Sequence, residues 1–348
     1  GENQVMDYTM VQHRLLPLIA TTYALHFTGQ AMLELYSDNQ KSMASGKRSA
    51  KEAAQNLADL HATSCALKAY SSTAAAEGLE VSRRACGGHG YSAFSGIGSW
   101  YADYLPTVTW EGDNYMLTQQ VARYLLKAAR AVIAGKPAEN DISRILTEFR
   151  RRQDIGAAFD ILDDDEDIVK AFGWRAAFLT FEALKHRDEE KQAWNSLLID
   201  FWRLSTAFSQ YLIVKHFYET LQSQNTTTTL ELEEVGALQK LFRLFSLHQL
   251  QSHASEFFTS GAVTVRQIQL ARTIQTLALL KDIRPHAVKL VDAWSFPDWQ
   301  LDSSLGRADG KVYEDMFYRA SQLNPLNDIT FDSNPNSSVL FRGEKAKL

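Results

Sequence analysis

The sequence predicts an all-α protein, a helical bundle followed by a second helical domain. Three observations carry that expectation. No proline occurs between Pro17 and Pro106, or between Pro137 and Pro285, and long proline-free spans of good helix formers favour helices. Apolar residues recur at helical spacing from the start of the chain. No strand-like alternation persists anywhere.

From Gln4 to Tyr36, the positions Met10, Leu15, Leu18, Ile19, Tyr23, Phe27, Met32 and Leu35 predict one long helix, with Pro17 as at most a kink. Ser37 to Gly46 is polar and reads as a loop. Residues 47–86 form a second, Ala-rich helix that stops at Cys86-Gly87-Gly88, because glycine after a helix accepts the left-handed stop conformation. Residues 87–114 break the pattern with glycines, aromatics and Pro106, and long structured loops are where sites lie. A helix resumes over 115–134. Gly135-Lys136-Pro137 then marks a boundary between domains 1–135 and 136–348. Further helices are expected near 141–152, 166–188, 189–223, 230–258, 264–281 and 284–294, with a polar loop at 224–229 and an irregular tail from Asn324. The acidic run Asp163 to Asp167 reads as a solvated loop or helix start rather than a metal site, since like charges repel without a cation.

Hydrophobic residues at 45% and charged residues at 22% indicate a globular chain, not a disordered one. A net charge of −5 argues against nucleic-acid binding, and no apolar run is long enough to cross a bilayer. Two cysteines, Cys65 and Cys86, are too few for a disulfide scaffold, so a reducing or redox-neutral compartment is expected, with Cys65 buried. The chain opens Gly1-Glu2-Asn3-Gln4 without Met and is expected to be a processed product or a fragment.

Three stretches could carry chemistry. In Cys86-Gly87-Gly88-His89-Gly90-Tyr91, glycines let a backbone approach an anion such as a pyrophosphate, although a plain turn between helices explains them as well. In Thr109-Trp110-Glu111-Gly112-Asp113-Asn114, Glu111 is either a surface carboxylate or a base. Trp110 is expected to shield it from water, which would raise its pKa, and Gly112 to leave room for a substrate. Ala346-Lys347-Leu348 differs from the Ser-Lys-Leu peroxisomal address by one small-for-small change. The histidines show no metal spacing; His248 and His253, five apart, are expected on different helix faces.

Together these segments resemble the peroxisomal acyl-CoA oxidases, relatives of the acyl-CoA dehydrogenases. The resemblance covers nearly the whole chain. It runs through Gln12-His13-Arg14-Leu15-Leu16-Pro17-Leu18-Ile19-Ala20, Arg84-Ala85-Cys86-Gly87-Gly88-His89-Gly90-Tyr91-Ser92, Trp110-Glu111-Gly112-Asp113-Asn114 and Gln119-Gln120-Val121-Ala122-Arg123-Tyr124-Leu125. Later come Ile283-Arg284-Pro285-His286-Ala287-Val288, Leu290-Val291-Asp292-Ala293 and Leu305-Gly306-Arg307-Ala308-Asp309-Gly310-Lys311-Val312-Tyr313.

The resemblance implies the dehydrogenase-like bundle and a second helical domain, with the amino-terminal and β-domains of such oxidases lying before Gly1. It implies that Glu111 is the catalytic base. Arg83, Gly87, Gly88 and Gly90 would bind the FAD of a partner subunit, Asp113 would touch FAD, and Trp110 and Gly112 would meet substrate. Dehydrogenases carry Thr where Asp113 stands, and Gln at the places of Thr9 and Arg84, so these departures lie nearer the oxidases. The implied reaction takes fatty acyl-CoA and O2 to trans-2-enoyl-CoA and H2O2. A homodimer, a peroxisomal location and an import receptor reading Ala346, Lys347 and Leu348 follow from the same resemblance, as does inactivity of this chain alone. Two other readings stand beside it. A dehydrogenase handing electrons to a carrier protein would release no peroxide without an added acceptor, and a non-catalytic helical subunit would show no flavin absorbance.

Overall fold

Helices begin where the apolar period begins. The computed structural model describes residues 2–45, 49–154, 158–223, 230–324 and 327. Helix α1 spans Thr9–Ser45 and runs through Pro17. The loop expected from Ser37 is therefore helix as far as Ser45, and Gly46 lies outside the described residues. Ser37-Asp38-Asn39-Gln40 has no apolar period, but it contains neither glycine nor proline to stop the helix, and Asn39 is buried.

Helix α2 covers Ala50–Ala85. Its start is fixed by a capping box in which the Ser49 side chain accepts from Glu52 N and the Glu52 carboxylate accepts from Ser49 N. Its end is the left-handed Gly87, φ 59°. The irregular stretch that follows holds a short helix, α3 (Ile97–Tyr104), between tight turns. Then come α4 (Asn114–Ile133), α5 (Asp141–Arg152), α6 (Asp165–Leu184), α7 (Leu198–Gln222), α8 (Leu232–Ser252) and α9 (Ala254–Thr259). Helices α10 (Val265–Leu270), α11 (Thr276–Ile283), α12 (Ala287–Asp292), α13 (Asp298–Leu301) and α14 (Val312–Tyr318) complete the order. No strand occurs among the described residues.

The acidic run is a helix start, as its charge pattern implies: the Asp164 carboxylate accepts from Glu166 N and Asp167 N at the first turn of α6. The helix expected over 189–223 begins later, at Leu198. Long-range bonds hold the preceding segment out of line. Arg130 grips Asp188 with two bonds of 2.7 Å, and Trp194 Nε1 donates to Gln119 Oε1 at 2.9 Å. The helix expected over 230–258 breaks at His253, φ −121°. The break turns Glu256 inward onto Arg175. The expected helix over 284–294 narrows to Ala287–Asp292, because Pro285 opens it with a 3-10 turn. Residues 224–229 and nearly all of the tail after Asn324 lie outside the described residues.

Helix α7 is the central pillar and packs against α1, α2, α4, α6 and α8. Its own Phe201 and Phe217 and the neighbouring Phe172, Phe242, Phe245 and Phe257 are fully buried, each burial worth roughly 1.5–3 kcal/mol. Within this core Arg175 bonds Glu256 at 2.8 Å and Gln210 at 2.5 Å, and Arg203 reaches Glu256 from the other side at 2.8 Å. Burial pushes the Glu256 carboxyl up, but the Arg175 charge and the bonds from Arg203 and Arg175 outweigh it and hold it below the usual range.

Gly135 ends α4 in the left-handed region, φ 70°, so the chain does turn where the boundary is expected. The core nevertheless crosses that point without a gap: Leu16, Ala66 and Leu125 belong to one buried cluster with Phe172, Ile213 and Phe245. The last segment also returns to the first half, where Ser304 N donates to Phe94 O at 2.8 Å.

Candidate functional site

The turn carrying Glu111 is built against the middle of α2. Glu111 has φ 56° and Gly112 φ 109°. Two consecutive residues with positive φ reverse the chain into α4, and the non-glycine member costs about 1–2 kcal/mol. The Asp113 carboxylate caps α4, accepting from Tyr115 N at 3.0 Å and Met116 N at 3.2 Å. The buried Asn114 side chain plugs into α2, donating to Ala69 O (3.1 Å), Ser72 Oγ (2.9 Å) and Thr73 Oγ1 (2.9 Å). From the same helix Lys68 Nζ donates to Gly112 O at 2.6 Å and to Asn114 Oδ1 at 2.8 Å.

Glu111 is exposed, and Trp110 is 55% exposed. The expected shielding of the carboxylate by Trp110 is therefore not provided within this chain: the reversal at Glu111 leaves both side chains on the outer side of the contact between α2 and α4. Gly112 also differs from expectation. A Cβ there would stand 2.8 Å from Leu117 Cδ2, so the missing side chain makes room for Leu117 and for a positive φ, rather than for open space.

Beside the turn lies a cavity of about 860 Å³ whose wall includes Thr109, Asp113, Leu18, Tyr70 and Val81. Its volume is in the range of small-molecule sites. His13, His248 and His253 line it as well. His248 and His253 thus face one space, contrary to their expected separation, because the helix breaks at His253. Burial, then the charge of Arg175, hold His253 down at about 4, a neutral imidazole at ordinary pH.

The glycine-rich loop is a second, separate group at the end of α2. It begins 14 residues after Thr73, roughly 20 Å further along the helix axis. A Cβ at Gly87 or Gly88 would meet nothing within 4 Å, whereas one at Gly90 would stand 1.8 Å from Arg83 O. Arg83 pairs with Glu80 at 2.6 Å and lies over the Tyr91 ring, 4.4 Å from its centre. The structure thus brings Trp110, Glu111, Gly112 and Asp113 together, and Arg83, Gly87, Gly88 and Gly90 together, but not one set with the other.

Among the described residues no cluster of histidine, cysteine and carboxylates is placed to hold a metal, and no helix is long and apolar enough to cross a membrane. Cys65 is buried as expected, and Cys86 is exposed. Ala346, Lys347 and Leu348 lie outside the described residues. Sequence reasoning missed Lys68, the anchoring role of Asn114 and the cavity. All three depend on contacts across some 40 residues or more, and no local pattern signals them.

Two family models match the chain: acyl-CoA oxidase, C-alpha1 domain, over residues 1–126, and acyl-CoA oxidase over residues 164–338. Peroxisomal acyl-coenzyme A oxidase 1 of Rattus norvegicus is 36% identical over 338 residues, which cover 94% of this chain and 49% of that protein. Acyl-CoA oxidase-1 of Caenorhabditis elegans, solved in complex with FAD and ATP, superposes with a TM-score of 0.84 at 31% identity, over 98% of this chain and 50% of that one. Acyl-CoA oxidase 1 of Arabidopsis thaliana superposes with a TM-score of 0.82 at 31% identity, over 98% of this chain and 51% of that one. The chain spans about half the length of the curated relatives it matches.

Proposed function

The chain belongs to the acyl-CoA oxidase family, and from that premise we propose that it carries the base of an FAD-dependent oxidase converting fatty acyl-CoA and O2 to trans-2-enoyl-CoA and H2O2. The observation that carries this reading is the turn at residues 110–114, which presents Glu111 outward from a clamped, left-handed conformation next to a cavity of ligand size. Backbone strain maintained by surrounding bonds is characteristic of functional positions.

The residues of the loop fit FAD. Gly87 and Gly88 leave open space where side chains would stand, so bare backbone is available to a pyrophosphate, and the Arg83 guanidinium, paired with Glu80 and lying over Tyr91, would exchange that carboxylate for a phosphate on binding. When bound, FAD supplies the acceptor for the β-hydrogen with its electron pair and the route of those electrons to O2. Glu111 takes the α-proton as the α–β double bond forms. Trp110 offers an exposed ring to the substrate, and Asp113, whose carboxylate caps the first turn of α4, is the residue of this turn that would contact FAD. The cavity bounded by Leu18, Tyr70 and Val81 suits the acyl chain.

The separation of roughly 20 Å along α2 supports a loop that serves the flavin of a second subunit, and hence a homodimer. The names of the relatives support a peroxisomal location, with Ala346-Lys347-Leu348 as the segment an import receptor would read. Domains 1–135 and 136–348 remain the proposed division, bracketed by the two family matches. Because this chain holds one part of the site and leaves Glu111 exposed, it is expected to be inactive alone.

The test is Glu111→Gln in the complete enzyme. Peroxide release from acyl-CoA is expected to fall ~10²–10⁴-fold with FAD still bound. Near-normal release would reject Glu111 as the base. Turnover that requires an added electron acceptor would reject the oxidase reading.

A further inference from the structure

Nothing in the ordinary view of α2 as an Ala-rich packing helix explains where Lys68 points. Its ammonium donates to Gly112 O at 2.6 Å and to Asn114 Oδ1 at 2.8 Å, the two positions that flank Asp113. It forms no ion pair among the described residues, so a half-buried cation is committed to two neutral acceptors of one turn. Charge-assisted bonds of this kind are stronger than neutral ones. We infer that Lys68 is a positioning residue for Glu111: its charge, delivered through the Gly112 carbonyl, holds the consecutive positive φ angles that aim the carboxylate. This rests on the reading of Glu111 as the base.

The neighbouring bonds separate this task from simple docking. Asn114 is tied to α2 by three bonds that do not involve Lys68, to Ala69 O, Ser72 Oγ and Thr73 Oγ1. Those bonds seat the start of α4. The peptide that joins Gly112 to Asp113, by contrast, is held through Gly112 O by Lys68. Removing the ammonium therefore frees the turn without unseating the helix. A carboxylate displaced by about 1 Å loses rate steeply, because proton abstraction depends on a near-attack geometry.

The experiment uses the complete, FAD-loaded enzyme and measures kcat, KM for acyl-CoA and flavin content. Lys68→Met, of similar length but without a donor, is expected to lower kcat about 30–100-fold while KM and flavin content stay within about twofold. Lys68→Arg, which keeps the charge and donors, is expected to recover at least about tenfold of that loss. Should Lys68→Met fail to fold, Lys68→Gln is read by the same split. A kcat within about threefold of the parent in the neutral variant overturns the inference. So does a loss shared equally by KM and flavin content, which would make Lys68 a scaffold residue. Glu111→Gln measured in parallel keeps the two ideas apart. If it is inactive while Lys68→Met is normal, only the role of Lys68 fails; if it is active, the base assignment fails first.

Discussion

The loop that ends α2 and the turn packed against its middle both carry glycines, and those glycines serve two opposite purposes. At Gly90 and Gly112 the missing side chain satisfies the protein itself: a Cβ would collide with Arg83 O at 1.8 Å in one case and with Leu117 Cδ2 at 2.8 Å in the other. At Gly87 and Gly88 nothing lies within 4 Å of the same position. A glycine motif therefore does not by itself mark ligand contact. The space on the Cβ side decides, and only half of the glycines singled out by their pattern face room for a ligand.

Substitutions to alanine break or sharpen this contrast. Gly90→Ala should have the largest effect on stability, about 3 kcal/mol or more, because backbone atoms of Arg83 cannot rotate away. Thermal melting of the complete enzyme measures it, and an unchanged midpoint would dissolve the distinction between the two kinds of glycine. Gly112→Ala should cost about 2 kcal/mol, less than Gly90→Ala because Leu117 can shift, but φ 109° remains strained. It should also reduce turnover at least about tenfold by moving Glu111.

Acid separates the surroundings of the two segments, since His253 lines the cavity beside the turn and not the loop. Its folded value, about 4, lies below the ordinary 6.5, so the unfolded chain binds a proton between those values that the folded chain refuses. The stability contributed by neutral His253 is complete above pH 6.5 and is lost as pH falls toward 4, roughly 2 kcal/mol across the window after allowance for partial exposure. His253→Gln should flatten the stability profile over that range, and an unaltered slope would assign it to other groups. The smallest change in stability is expected for Gly88→Ala, within about 0.5 kcal/mol. It should instead weaken flavin retention on dialysis, and full retention would remove the loop from the cofactor site.

The helical architecture was legible because it rests on local rules. The apolar period of α1, the acidic start of α6 and the glycine stop of α2 all act within a few residues. What was illegible rests on weak local signals or on partners distant in sequence. Ser37 to Ser45 stays helical without an apolar period, and α8 ends at His253 with no glycine or proline to announce it. At the site, the identity of Glu111 and its motif could be read. Its exposure and its anchorage could not, because Lys68 lies 44 residues from Gly112. The exposure of Trp110 shows the same limit: an aromatic neighbour shields a carboxylate only when the chain folds it over, and here it does not.

The unbroken core has a consequence for engineering and recombination. The Ser209 hydroxyl donates to Ala66 O at 2.9 Å deep inside the molecule, and α7 touches α1, α2 and α4 from before residue 135 as well as α6 and α8 from after it. A chimera joined at residue 135 from two relatives would therefore bring together surfaces that never adapted to each other. Grafts that transfer α7 along with the helices that embrace it should yield folded protein more often than grafts cut at the linker.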